Sequence, residues 1–178
     1  MHETADDLAD LQSALDVSYD TAGAHLRSLF PPSMRSTADD IVARLSGVFD
    51  INLATVTARS EPIVAPVDGM FYRGRLWFSL PRGSVRARHL RARPQASATY
   101  CEGDQAPVLI VHGTAQLVDE MHPFFDGFDA FARGLYGITV DVSKEQQRDR
   151  PDDDFTGFIE PRRIFAQGFP KTSSEHVR

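Results

Sequence analysis

Hydrophobic positions recur at two different periods along this chain, and the change from one to the other falls near Asp50. From Ala5 to Phe30 the apolar residues Leu8, Leu11, Leu15, Leu26 and Leu29 return at roughly helical spacing, with interruptions at Val17, Tyr19 and Gly23. That pattern predicts one broken helix or two short ones. The run "PPS" at 31–33 stops it, because proline lacks an amide donor and restricts the residue before it. A second helix is predicted from Ser36 or Thr37, with Asp39 and Asp40 in its first turn, where the helix dipole favours negative charge. It turns Ile41, Leu45 and Val48 inward and ends near Gly47 to Asp50.

After Asp50 the period drops to two. "INLATVTA" and "PIVAPVDGMFY" are rich in β-branched and aromatic residues and are separated by the polar "RSEP", so they read as adjacent strands. "YRGR" at 72–75 places Gly74 where a tight turn needs a positive φ, and "RLWFSL" is the returning strand of a three-stranded meander. A short helix from Ser84 to Arg93 closes at Pro94. "QASATYC" and "PVLIVHGTAQLV" are two more strands joined by "EGDQA", with Leu109, Val111, Ala115 and Leu117 on one face. From His122 to Tyr136 a helix gathers Phe124, Phe125, Phe128, Phe131 and Leu135 at spacings of three and four, which marks core or interface. "SKEQQRDRPDDD" at 143–154 reads as a mobile loop, and "FTGFIE" and "RRIFAQGF" as two short strands. Five or six antiparallel strands with short turns, and only two or three helices, predict a small barrel rather than a parallel α/β sheet.

Length then limits the organisation. The 178 residues suffice for one ordinary domain, read here as a helical extension over 1–35, a barrel domain over 36–170 and a flexible tail over 171–178. Apolar residues make up 42% and charged residues 25% of the chain, which argues against wholesale disorder. The single cysteine, Cys101, forms no internal disulfide and has no partner at zinc spacing, so a reducing cytoplasm is expected, and Cys101 itself reads as a small buried residue. The acidic N-terminus is unlike a secretory signal, and no apolar run approaches the ~18 residues that span a bilayer. No membrane association is expected.

Charge raises the main question. "LPRGSVRARHLRARP" at 80–94 holds five arginines in a chain of formal net charge −6. Either they lie on a solvated helix face, as charge runs usually do, or some of them meet an anion. Ser84 is a good N-cap, so the first amides of its helix would face the "PRG" loop unpaired. Arg82 on that loop, with Arg86 and Arg88 in the first turns, adds guanidinium donors to the positive end of the helix dipole, the arrangement that holds phosphate. The preceding strand delivers Phe78 and Ser79 to the same edge, and Gly83 permits close backbone approach. Helical geometry keeps the arginines from all reaching one ligand, and Arg91 and Arg93 are expected at the surface. A pI of about 5.4 and the lack of an extended basic stripe disfavour nucleic-acid binding.

The run from "INLATVTA" to "RARPQASATY", followed by "VLIVHGTAQLV", resembles the FMN-binding split-barrel superfamily, the pyridoxamine 5'-phosphate oxidase-like proteins and the related flavin and deazaflavin oxidoreductases. The resemblance covers about Ile41 to Val118, with an echo in "FIEPRRIFAQGF"; it is carried by "LATV", the "P.V.PV" strand and the "S.R.R.L...P" helix. It implies a six-stranded antiparallel Greek-key split barrel with flanking helices, and a homodimer with the cofactor in the groove between two barrels. It also implies that Val64, Ala65, Pro66, Val67 and Asp68 run beside the isoalloxazine ring, with Phe78 and Ser79 on the neighbouring strand. By the same resemblance Arg86 takes the place of a phosphate-binding lysine, with Arg82, Ser84, Arg88 and His89 around it. The implied cofactor is FMN or the deazaflavin coenzyme F-420.

The chain departs from pyridoxamine 5'-phosphate oxidase itself by ending in "QGFPKTSSEHVR" where that enzyme has its substrate-binding segment, so vitamin B6 oxidation is not expected. The resemblance implies an oxidoreductase passing hydride between the cofactor and a small organic substrate. No side-chain nucleophile is required, because the cofactor carries the chemistry. His89 and His112 are candidate proton donors, though histidines so placed are more often structural hydrogen-bond partners. Tyr72, Trp77 and Tyr100 read as barrel packing. The competing reading is a protein that binds flavin, or haem, without turnover.

Overall fold

A computed structural model describes residues 2–103, 107–119, 121–135 and 154–172. The helical period of the N-terminus resolves into two helices, α1 (Ala5–Asp20) and α2 (Ala24–Leu29). Helix α1 starts on a capping box, in which the Thr4 hydroxyl accepts from the Asp7 amide and the Asp7 carboxylate accepts from the Thr4 amide. Thr37 and Asp40 repeat that device at α3 (Ala38–Arg44). Helix α3 is shorter than its sequence predicts: Ile41 and Leu45 are buried, but Val48 is 39% exposed and already belongs to the first strand.

Six strands follow: β1 (Val48–Val56), β2 (Pro62–Tyr72), β3 (Arg75–Pro81), β4 (Gln95–Cys101), β5 (Val108–Val118) and β6 (Asp154–Gln167). They close an antiparallel barrel in the order β1-β2-β3-β6-β5-β4, with β4 returning to β1, and this is the split barrel with flanking helices that the sequence predicts. Alternate residues fill the interior, among them Ile51 and Leu53, Val67 and Phe71, Leu76, Phe78 and Leu80, Ala96 and Ala98, and Leu109 and Val111. The β2–β3 turn places Arg73 at φ 52° and Gly74 at φ 71°, the two positive values that a tight hairpin with the right twist needs. Arg73 is an uncommon residue there, and its Nε donates to the Asp7 carboxylate of α1 at 2.5 Å, which ties the turn to the N-terminal helix.

One prediction fails informatively. "FTGFIE" and "RRIFAQGF" are not two strands but the two halves of β6, which runs unbroken through Pro161. Strand β3 pairs only with Asp154–Ile159, so the missing amide of Pro161 removes no bond on that side. On the other side the register with β5 slips: Gly113 faces Pro161 while His112 faces Arg163, leaving Arg162 as the extra residue of a bulge. Gly113 is what lets the strands approach, since a Cβ there would lie 2.0 Å from the Glu160 carbonyl oxygen.

Beyond Ile159 the outer edge of β6 is covered by the N-terminal segment. The Ser18 hydroxyl accepts from the Ile164 amide at 2.9 Å, and the Tyr19 hydroxyl accepts from the Ala166 amide at 2.9 Å and donates to the Ala166 carbonyl at 2.6 Å. An exposed strand edge is a template for unwanted pairing, and here α1 blunts it with side-chain hydroxyls.

A second apolar cluster forms outside the barrel, under α5 (Phe125–Leu135). Trp77 and Phe128 stack with centroids 4.0 Å apart and planes 10° apart; Phe131, Tyr72, Met70, Val118 and Phe158 complete the cluster. Phe124, Phe125 and Leu135 pack at its margin, so all five apolar positions named for this helix converge as their spacing predicts. The charged stretch read as a loop lies outside the described residues up to position 153, as does the tail from 173. Among the described residues, no helix is long and apolar enough to cross a membrane.

Candidate functional site

Helix α4 (Val85–Ala92) seals one end of the barrel. Ser84 caps it, its hydroxyl accepting from the Ala87 amide at 3.1 Å. The amides of Val85 and Arg86 stand before the first helical acceptor and carry no intrahelical bond. Ala87 and Leu90 face the core; His89 is 9% exposed, and its Nδ1 lies 3.0 Å from the fully buried Thr55 hydroxyl. Arg93 Nε donates to the Val56 carbonyl at 3.2 Å, and the Ala115 amide donates to Pro94 at 2.6 Å. Both ends of α4 are thereby fixed to the strands.

The five arginines have separate surroundings. Arg82 and Arg91 place their guanidinium carbons 4.5 and 4.1 Å from the centroid of the Phe155 ring. Arg88 is exposed and its Nη1 donates to the Gly83 carbonyl at 3.1 Å. Arg93, expected at the surface, is half-buried by its bond to Val56. Arg86 differs from all of these: its Nε is buried and has no hydrogen-bond partner among the described residues. A buried donor without an acceptor costs about 1 to 3 kcal/mol, so this atom needs a partner, which a water or an anion can supply.

Strand β2 presents the second part of the site. Its pairing with β3 begins only at Gly69, so the stretch Pro62–Val67 is hydrogen-bonded to β1 on one side and has no strand partner on the other among the described residues. Val64, Pro66 and Asp68 point out of the barrel and are exposed, Val64 at 60%. Ala65 and Val67 point inward, so only their backbone is available to a ligand on the outer surface. Ser79 emerges half-buried on the outer side of β3, two residues before the loop that enters α4.

Two residues expected at the site are turned away from it. Phe78 has no exposed surface and belongs to the barrel interior, because β3 alternates and Leu76, Phe78 and Leu80 share its inner face. His89 faces Thr55, the structural role that was the alternative to proton donation. Neither side chain is presented to the outer surface. Ser79 and the start of α4 with Ser84 and Arg86 follow one another along the chain, and β3 pairs with the end of the strand that carries Pro62–Val67.

His112 sits apart from these residues. Its Nδ1 lies 2.8 Å from the Ser97 hydroxyl, and together with Arg162 and Arg163 the pair lines a concavity of about 500 Å³ on the outer face of β4, β5 and β6. Burial and then the positive charges of Arg163 and Arg162 push the imidazole pKa below its usual range. The arginine pair went unremarked in the sequence, where its only signal is two adjacent basic residues following a proline inside a strand-like run. Cys101, expected to be buried, is exposed at the end of β4.

The profile of the pyridoxamine 5'-phosphate oxidase family matches residues 39–164, which covers β1 to β5, α4 and most of β6. The chain belongs to this family. Its members bind flavins and include oxidoreductases. Among solved structures, a conserved hypothetical protein of Mycobacterium tuberculosis superposes with a TM-score of 0.64 at 19% identity, over 80% of this chain and 94% of that one. An F-420 reductase aligns with a TM-score of 0.51 at 17% identity, over 69% of this chain and 94% of its own. The haem storage protein of Vibrio cholerae gives a TM-score of 0.51 at 17% identity, over 74% of this chain and 92% of its own. At these identities the structural likeness concerns the fold alone. No curated protein matches the chain significantly.

Proposed function

We propose that this pyridoxamine 5'-phosphate oxidase family member is an oxidoreductase that holds a phosphate-bearing flavin-type cofactor, FMN or coenzyme F-420, and acts on a small organic substrate. The observation that carries this reading is the buried Nε of Arg86, without a partner among the described residues and placed in the first turn of a capped helix whose leading amides carry no intrahelical bond. An anion there would satisfy a guanidinium and backbone amides together and would meet the positive end of the helix dipole. The residues present therefore fit the phosphate of the group, with Arg86 and the Ser84–Arg86 turn as its holders.

The bound cofactor would supply the hydride chemistry, and the protein's share is position and electrostatics. The free edge of β2 offers backbone donors and acceptors between Pro62 and Val67, suited to the polar rim of a planar ring. Val64 and Pro66 offer apolar surface beside them. Ser79 and Asp68, outward on the adjoining strands, would orient polar atoms of the ligand. Arg82 and Arg91, set against Phe155, hold positive charge near the loop without closing it. The exposed apolar residues Val48, Ile63 and Val64 on β1 and β2 suit burial against a second copy, and we propose a homodimer with the cofactor at its groove.

The alternative is binding of flavin or haem without turnover; Nδ1 of His89 and of His112 lies within hydrogen-bond distance of Thr55 and Ser97, which leaves Nε2 as the nitrogen a haem iron would take. The absorbance spectrum of the purified protein, with mass analysis of any released chromophore, tests the proposal. A flavin or deazaflavin spectrum is expected; a Soret band would replace this reading with the haem reading.

A further inference from the structure

The concavity lined by Ser97, His112, Arg162 and Arg163 is a built feature, and its construction begins with the bulge in β6. Successive residues of a regular strand point to opposite faces, so two consecutive arginines would normally be separated by the sheet. The extra residue between Pro161 and Arg163 breaks that alternation, and both guanidinium groups are exposed on the outer face. Register does the rest. Ser97 is directly opposite His112, and His112 is directly opposite Arg163, so the three side chains form one cross-strand row at right angles to the strands. Among the described residues neither Arg162 nor Arg163 has an acidic partner, whereas Glu160 on the same strand is paired with Arg75 at 3.4 Å. Two like charges are thus held side by side, in a cavity of about 500 Å³, next to a hydrogen-bonded Ser–His pair.

Adjacent guanidinium groups repel each other, and burial together with their charge lowers the pKa of the imidazole. Each feature is relieved by a single anion. Arg162 and Arg163 present planar forks able to grip two oxygens each. In the tautomer in which the Ser97 hydroxyl donates to Nδ1, the imidazole carries its proton on Nε2 and adds a further donor. The row continues through Ala54, opposite Ser97, to Val64, opposite Ala54, so this cavity opens on the same outer surface as the exposed residues of β2, two to four inter-strand steps of ~4.8 Å around the barrel. It is built from β4, β5 and β6 and shares no residue with the start of α4.

We propose that this concavity is a second anion site, for the carboxylate or phosphate group of a small molecule, held by Arg162 and Arg163 with the Ser97–His112 pair as the third contact. The inference does not rest on the cofactor reading, since a different set of residues carries it. Its test uses the full chain labelled with carbon-13 at histidine, titrated at constant pH and ionic strength with inorganic phosphate in one arm and acetate in the other, following the His112 ring resonance. A saturable shift is expected in at least one arm, and the arm that gives it names the group. The double variant R162Q/R163Q weakens the apparent affinity by about tenfold or more, as loss of charge-assisted bonds requires. Arg86→Ala leaves the response unchanged, which separates this site from α4. The single variant Arg162→Gln gives the same direction of change if the double variant fails to fold. Absence of a saturable shift in both arms, or an equal response in parent and arginine variants, overturns the proposal.

Discussion

Arg88 donates from Nη1 to the Gly83 carbonyl at 3.1 Å, a bond that closes the loop entering α4 on itself. One donor of the guanidinium two positions after Arg86 is therefore spent on bracing the loop that enters α4. Arg88→Ala should cost no more than about 0.5 to 1.5 kcal/mol of stability, the usual worth of one such bond, and less given its exposure. Urea titration of the variant checks this, and cofactor affinity within about threefold of the parent is expected alongside it.

Gly113 holds a position where no side chain fits. A Cβ there would meet the Glu160 carbonyl oxygen at 2.0 Å and the Ile159 side chain at 2.9 Å, and the obstacle is backbone that cannot swing aside. Gly113→Ala should destabilise the barrel by roughly 1 to 3 kcal/mol or more through forced separation of β5 and β6. Because the same contact sets the bulge, the variant should also disturb the His112 ring resonance. Unchanged stability with an unchanged His112 signal would contradict this account of the bulge.

Trp77 is the only tryptophan of the chain, is fully buried, and stacks on Phe128. Phe128→Ala should cost about 3 to 5 kcal/mol by opening a cavity between α5 and the barrel. Its fluorescence should move to longer wavelength as water reaches the indole. A stable variant with native emission would mean that α5 does not cover Trp77.

Asp40 supplies a pH dependence. Burial raises its pKa, but hydrogen bonds from the Thr37 amide, the Thr172 amide and Lys171 outweigh it and leave the carboxyl at about 2, below the ordinary 3.8. The folded state therefore binds this proton less readily than the unfolded chain. The stabilisation, roughly 2 kcal/mol, is present above the unfolded pKa and is lost as pH falls through about 2. Asp40→Asn should be less stable than the parent by about that amount at pH ~6, and the gap should close by pH ~2. A gap independent of pH would assign the loss to capping geometry instead.

Much of this fold is visible in the period of the sequence, because each strand of the meander alternates and each short helix carries its own cap. Thr37 with Asp40 and Ser84 with Ala87 are local devices, read within four residues. What escapes is set by contacts far apart in the chain. Nothing near Pro161 says that Gly113, 48 positions earlier, will accept a bulge opposite it. Likewise the partners of Ser18 and Tyr19 on β6 are 146 and 147 residues away. The burial of Phe78 had a local signal: Leu76, Phe78 and Leu80 alternate in one phase, opposite to Trp77 and Ser79. At the candidate site, the sequence shows that α4 gathers positive charge. Which arginine keeps a buried Nε without a partner among the described residues depends on Phe155, Gly83 and Val56, and those contacts exist only in the folded chain.

The central claim, that Arg86 at the entrance of α4 grips the anionic part of a flavin-type cofactor, is tested most directly by equilibrium titration of FMN and of coenzyme F-420 into the parent protein and Arg86→Ala. One of the two cofactors should bind the parent, and the variant should bind it about 1.5 to 3 kcal/mol more weakly, roughly 10- to 150-fold, with its thermal unfolding unchanged. Equal affinity in parent and variant would contradict the account and return Arg86 to the surface of the helix.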